Sequence, residues 1–174
     1  MPRPAGQYAP MKRLLLFLLP LLLLLVPNMA AAQTSPFEEA DAAYARSDYT
    51  NALRIFRALA QEGDAIAQFN LGVMLDFGQG TAPDPALAVS WYRKAAAQGH
   101  GAAQFNLGGM YLEGLGVSKD LPRAYMWFTL SATAGVPGAA KNRSAVGRML
   151  NSGQVSQAQQ LVRDCQQREF KGCD

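Results

Sequence analysis

Leu87, Trp91 and Ala95 recur at four-residue steps, with Ala88 and Tyr92 beside them. That spacing places the apolar residues between Asp84 and Gln98 on one face of an α-helix. Similar segments predict helices over 37–47, 49–62, 65–77, 84–98, 101–113, 120–134, 137–150 and 156–168. No run alternates like a strand. Asp48, Asp84 and Asp120 precede apolar-periodic segments, where a carboxylate can cap free N–H groups. Pro85 sits at a first helical position and Pro122 one place later, where a missing N–H costs little. Gly63, Gly99 and Gly135 close those segments as left-handed C-caps.

The pattern repeats. Ala67-Gln68-Phe69-Asn70-Leu71-Gly72 returns as Ala103-Gln104-Phe105-Asn106-Leu107-Gly108, an offset of 36 residues. The same offset relates Gly78 to Gly114, Gly80 to Gly116, Asp84 to Asp120, Ala88 to Ala124, Trp91 to Trp127 and Tyr92 to Phe128. Backward it reaches Asp48, Ala52, Phe56, Ala60 and Gly63. Forward it fades to Ala139 and Asn142, as expected of a terminal capping unit. The units run over about 37–64, 65–100, 101–136 and 137–174. Gly72 and Gly108 fall inside helices, at about 1 kcal/mol each against alanine. Close approach of a partner helix explains such residues, and Ala88 and Ala124 are small enough to supply it. Gly78-Gln79-Gly80 and Gly114-Leu115-Gly116 join helices as turns; they lack the third glycine, the Lys-Ser/Thr pair and the preceding strand of a phosphate loop.

One stretch departs from amphipathic patterning. Leu14 to Val26 is apolar apart from Pro20, follows Lys12 and Arg13, and leads to Asn-Met-Ala-Ala-Ala. This reads as a secretory signal peptide over 1–32, cleaved after Ala32, with Ala30 and Ala32 at the two small-residue positions. The run is shorter than the ~20 residues that span a bilayer. Met11 gives a more ordinary n-region than Met1. Cleavage would leave a repeat domain over 33–174 with no membrane insertion. It would also remove Arg3, Lys12 and Arg13 from 16 basic residues, leaving 13 against 13 acidic ones. Without a basic field, nucleic-acid binding is not expected.

Cys165 and Cys173 are the two cysteines. Export favours a disulfide between them, worth about 2 to 3 kcal/mol in the chain-entropy model. The alternatives are two free thiols or a metal half-site. His100, the one histidine, lies far away in sequence and reads as a cap at a helix C-terminus. No His, Cys and Glu spacing fits a metal, and serines and acids occur singly. No cofactor, metal or catalytic residue is therefore expected.

Ala103, Leu107, Gly108, Tyr111, Gly114, Gly116, Val117, Asp120, Ala124 and Trp127 together resemble the Sel-1-like repeat family, close relatives of tetratricopeptide repeats. Leu75 and Thr81 depart from the pattern in the preceding unit, and the first hairpin looks more like a plain tetratricopeptide unit. The resemblance implies an all-α fold, a short right-handed α-solenoid of about four antiparallel helix pairs. Asp164 to Cys173 resembles the cysteine-rich members, with a staple at the C-terminus. The family implies an adaptor or scaffold that binds another protein or peptide. The signal-peptide pattern adds export to the periplasm or the medium and, with the alternating units and no eukaryote-style sorting signal, points to a Gram-negative bacterium.

First helices of such units line the concave side. By resemblance to tetratricopeptide positions, Phe69, Val73, Asp76, Phe105, Gly109, Leu112, Glu113, Lys141 and Arg148 are the candidate partner-binding residues. Asp76 and Glu113 would make the middle acidic, and Lys141 and Arg148 the C-terminal end basic. Asn70, Asn106 and Asn142 recur with the period, as a ligand ladder or, more simply, through bonds to a neighbouring turn. Two rival readings stand beside the adaptor. One is a structural envelope component that recognises no peptide. The other is a hydrolase of penicillin-type compounds, for which the chain lacks the usual Ser-x-x-Lys arrangement.

Overall fold

The computed structural model describes residues 34–173. The expected signal peptide and its cleavage point at Ala30 and Ala32 lie outside them. The described residues form helices and no strands: α1 (Pro36–Ala45), α2 (Tyr49–Gln61), α3 (Ala65–Phe77), α4 (Pro85–Ala96), α5 (Gly101–Glu113), α6 (Leu121–Thr133), α7 (Ala139–Gly147) and α8 (Ser152–Gln167). Each helix packs on its sequence neighbour from α1 to α7, giving a short helical solenoid.

The cap residues fix the register. Asp48, Asp84 and Asp120 accept from the backbone N–H of Asn51, Leu87 and Arg123 at 3.4, 2.9 and 2.9 Å. Asp64 does the same for α3, accepting from Ala67 at 2.7 Å. Ser35 and Glu38 form a capping box, so α1 begins at Pro36. A second box, Asn151 with Gln154, starts α8 at Ser152, ahead of the expected 156. Gly63, Gly99 and Gly135 all have positive φ, as their place after a helix required.

The C-terminal unit departs from the expected fourth pair. α7 and α8 each pack on α6 more than on one another. Pro137 and Gly138 stand outside α7, and Gly138 has φ +83°, so the helix is shorter than 137–150. Beyond α8, Cys165 and Cys173 form a disulfide with Cα atoms 5.0 Å apart. It ties the end of α8 to the turn that follows it. Cys165 is buried.

Alanines and aromatic rings build the core. Phe56, Tyr92 and Phe128 hold equivalent places in α2, α4 and α6, and all are buried. The last two explain the helical glycines. A Cβ at Gly72 would lie 2.6 Å from the Tyr92 ring, and one at Gly108 would lie 2.7 Å from the Phe128 ring. The close approach is real, but the neighbour is the ring rather than Ala88 or Ala124. The Gly-x-Gly loops gain a second role. Gly80 faces the Tyr49 carbonyl at the start of α2, and Gly116 faces Pro85 at the start of α4, both with no room for a Cβ. Each loop thus seats on the preceding unit.

Two adjacent glycines should respond in opposite ways. Gly108→Ala should destabilise the protein by about 2–3 kcal/mol, because Phe128 must move. Gly109, beside it in α5, has nothing within 4 Å of a Cβ. Gly109→Ala should stabilise by roughly 0.5–1 kcal/mol through helix propensity. Urea unfolding of the two variants checks both signs.

Candidate functional site

The first helices of the units share a face with two hollows. The first has a volume of about 340 Å³ and is lined by Asp41, Tyr44, Phe56, Phe69, Asn70 and Val73. The second, of about 360 Å³, takes Asp76, Phe105, Gly109, Leu112 and Glu113 into its wall, together with Phe77, Asn106, Leu115 and Asn142. α1, α3, α5 and α7 therefore all contribute to this face. The walls are mostly apolar, with Asp76 and Glu113 as the acidic members of the second hollow.

The two phenylalanines are half-buried, each as part of a ring stack. Phe69 lies 4.8 Å from the His100 ring, nearly parallel, and 6.0 Å from Tyr92. Phe105 meets Phe128 edge to face at 5.5 Å. They are floor residues of the hollows rather than protruding anchors. The protruding apolar groups are Phe77 and Leu115, at 69% and 50% exposure. Both line the second hollow, and neither stands out in the sequence. Phe77 ends α3 beside one glycine loop and Leu115 lies within the next, and that placement is the signal that would have found them.

Lys141 and Arg148 are exposed and line neither hollow. The α7 residue that reaches the second hollow is Asn142. Of the recurring asparagines, Asn70 lines the first hollow and Asn106 and Asn142 the second. Asn106 lies near the Tyr92 hydroxyl of α4, in the preceding unit.

Electrostatics follow burial. Desolvation raises the Asp76 carboxyl above its ordinary range. Burial pushes the Tyr92 hydroxyl far up, with Asp76 adding a smaller push in the same direction. Burial also lowers His100, more than the Asp64 carboxylate raises it. His100 caps α5 at its N-terminus, its Nδ1 accepting from the Ala103 N–H at 3.2 Å. That corrects the expected C-terminal role: it serves the helix that follows, in the place Asp64 holds for α3. Among the described residues, no three His, Cys, Asp or Glu side chains gather to hold a metal ion. No described helix is long and apolar enough to cross a membrane.

Repeating helix pairs with these caps and loops define a helical-repeat protein. The model of the Sel1 repeat matches residues 65–100 and 101–136. A crystallised Sel1 repeat protein from Oxalobacter formigenes is 35% identical, with a TM-score of 0.57, over 63% of this chain and 86% of that one. A protective antigen present in uropathogenic Escherichia coli strains, which displays an SLR fold, is 34% identical with a TM-score of 0.73. That match covers 81% of this chain, which spans only 32% of the antigen. No curated protein matches the chain. The chain belongs to the Sel1 repeat family, whose fold is typically a protein–protein interaction module.

The Nδ1 of His100 accepts a bond only when unprotonated, so the α5 cap titrates. The folded state holds His100 neutral below the ordinary value of 6.5. Its contribution is therefore complete above about pH 6.5 and is lost as pH falls through the lowered folded value. The loss should not exceed the ~1 kcal/mol typical of an N-cap. His100→Asn keeps a capping side chain without titrating. Melting temperatures between pH 7.5 and 4.5 should fall less steeply for that variant than for the parent.

Proposed function

We propose that this protein is an exported adaptor that holds an extended segment of a partner protein along the face formed by α1, α3, α5 and α7. The observation that carries the reading is the pair of apolar hollows on one face of the array, floored by Phe69 and Phe105. Such a surface takes alternate side chains of an extended chain into its hollows. Asn70, Asn106 and Asn142 stand at the repeat period beside them and carry both donors and acceptors for a peptide backbone. Asp76 and Glu113 favour a basic residue in the middle of the segment. Phe77 and Leu115 offer exposed apolar contacts at its edge.

Export rests on the signal-peptide pattern over 1–32, with Ala30 and Ala32 before the cleavage point. The Cys165–Cys173 disulfide supports it, because such bonds persist in oxidising compartments. A periplasm or the medium is then the site of action. Val73, Gly109 and Leu112 complete the contact set. Lys141 and Arg148, outside the hollows, would act on the partner only as peripheral charges.

A second reading, a structural envelope component, draws on the ring stacks. Phe69 and Phe105 already pack within their own repeats, so part of their role is architectural.

Selection of phage-displayed peptides against the purified protein, followed by fluorescence anisotropy, separates the two. The adaptor reading expects selected peptides with spaced apolar residues and a basic centre. Phe105→Ala should cost about 1–2 kcal/mol of binding. Leu87→Ala, on α4 away from both hollows, should leave affinity unchanged. Equal binding by a folded Phe69→Ala, Phe105→Ala double variant would exclude this face.

A further inference from the structure

A buried glutamine recurs in the first helices, Gln68 in α3 and Gln104 in α5, and only one of them is fully bonded. The Gln68 Nε2 donates to the Ala60 carbonyl at 3.2 Å. Its Oε1 accepts from the Gln98 Nε2 at 2.9 Å, and Gln98 also donates to the Gly63 carbonyl at 3.0 Å. Gln104 repeats the first half of this arrangement, its Nε2 donating to the Ala96 carbonyl at 3.4 Å. It does not repeat the second half. The position 36 residues beyond Gln98 is Ala134, which has no amide to give. Gln104 is 1% exposed, and its Oε1 has no hydrogen-bond partner. An unsatisfied buried carbonyl of this kind destabilises the folded state.

Gln104 and Ala134 both border a cavity. Its volume is about 230 Å³, and Gln104, Leu130, Thr133, Ala134, Gln166 and Phe170 line it. The disulfide-closed turn after α8 supplies one wall. Phe170 sits there with φ +67°, its ring 3.6 Å from where a Cβ on Gly99 would lie. No charged side chain lines the space.

We propose that this cavity binds a primary carboxamide carried on a short aliphatic stem. The ligand's N–H takes the place of the Gln98 amide at the Gln104 Oε1. Its carbonyl accepts from the Gln166 Nε2, and its stem packs on Leu130 and Phe170. A carboxylate is disfavoured, because it would set negative charge against the Gln104 carbonyl. An ammonium would lose its hydration with no counter-charge to replace it. A single water would satisfy the Oε1 but forgo the apolar contact.

Ligand-observed NMR titrations of the purified protein test this with butyramide, butyrate and butylammonium. Capped glutamine is added to distinguish a partner's side chain from a free small amide. Binding of butyramide alone assigns the site to a free small amide; binding of both amides assigns it to a side chain of a polypeptide. In either case butyrate and butylammonium should bind at least about tenfold more weakly. Ala134→Gln, which restores the repeat's own amide, should abolish binding with helicity unchanged. Gln166→Ala, at an exposed position that the fold does not need, should weaken it several-fold. Equal binding of butyrate, undiminished binding by either variant, or no binding of either amide would overturn the proposal.

Discussion

The contact on which the rest depends is an aromatic ring laid on a glycine. Tyr92 presses on Gly72 and Phe128 on Gly108, each across a helix pair. Any Cβ at those glycines would force the helices apart. The glycine costs its helix about 1 kcal/mol in propensity, and the buried ring repays that through the area it removes from water. Because the rings are fixed, Phe69 and Phe105 can stack on them from the first helices, and they become the floors of the two hollows. Core packing and the candidate face are thus one arrangement seen from two sides.

Stacking between units rests on a different backbone contact. Gly80 and Gly116 bring each loop onto the first turn of the preceding unit's second helix, which Asp48 and Asp84 cap. The sequence periodicity of 36 residues and the spatial period are held by the same residues. Where the glycine loop disappears, after α7, the repeat ends. α7 and α8 then fold onto α6, and the disulfide closes the last turn.

Much of this was legible in the residues. Caps, proline positions and recurring alanines located the helices to within a few residues, because each acts locally. Contacts across helices were less so. The spacing of Gly72 says that something approaches, but only the crossing of α3 and α4 decides that it is Tyr92 and not Ala88. His100 stands between two helices and can serve either. The structure gives it to α5, because its Nδ1 reaches the Ala103 N–H. Lys141 and Arg148 were placed by analogy with complete units, and the shortened α7 turns Asn142 to the hollow instead. Phe77 ends α3 and Leu115 lies in a glycine loop, where hydrophobicity alone does not reveal exposure. The loss of the Gln98 amide at Ala134 was visible in the alignment of units, but its consequence, a hollow beside Gln104, required the C-terminal turn to be in place.

A repeat array of this size gives a partner two faces, and the central claim is that the first-helix face is the one used. Hydrogen–deuterium exchange of the purified protein, with and without a peptide selected against it, tests this most directly. The account predicts slower exchange in α3 and α5, strongest over 69–76 and 105–113, with α2, α4 and α6 unchanged. Protection confined to α4 and α6, with α3 and α5 unaltered, would contradict it.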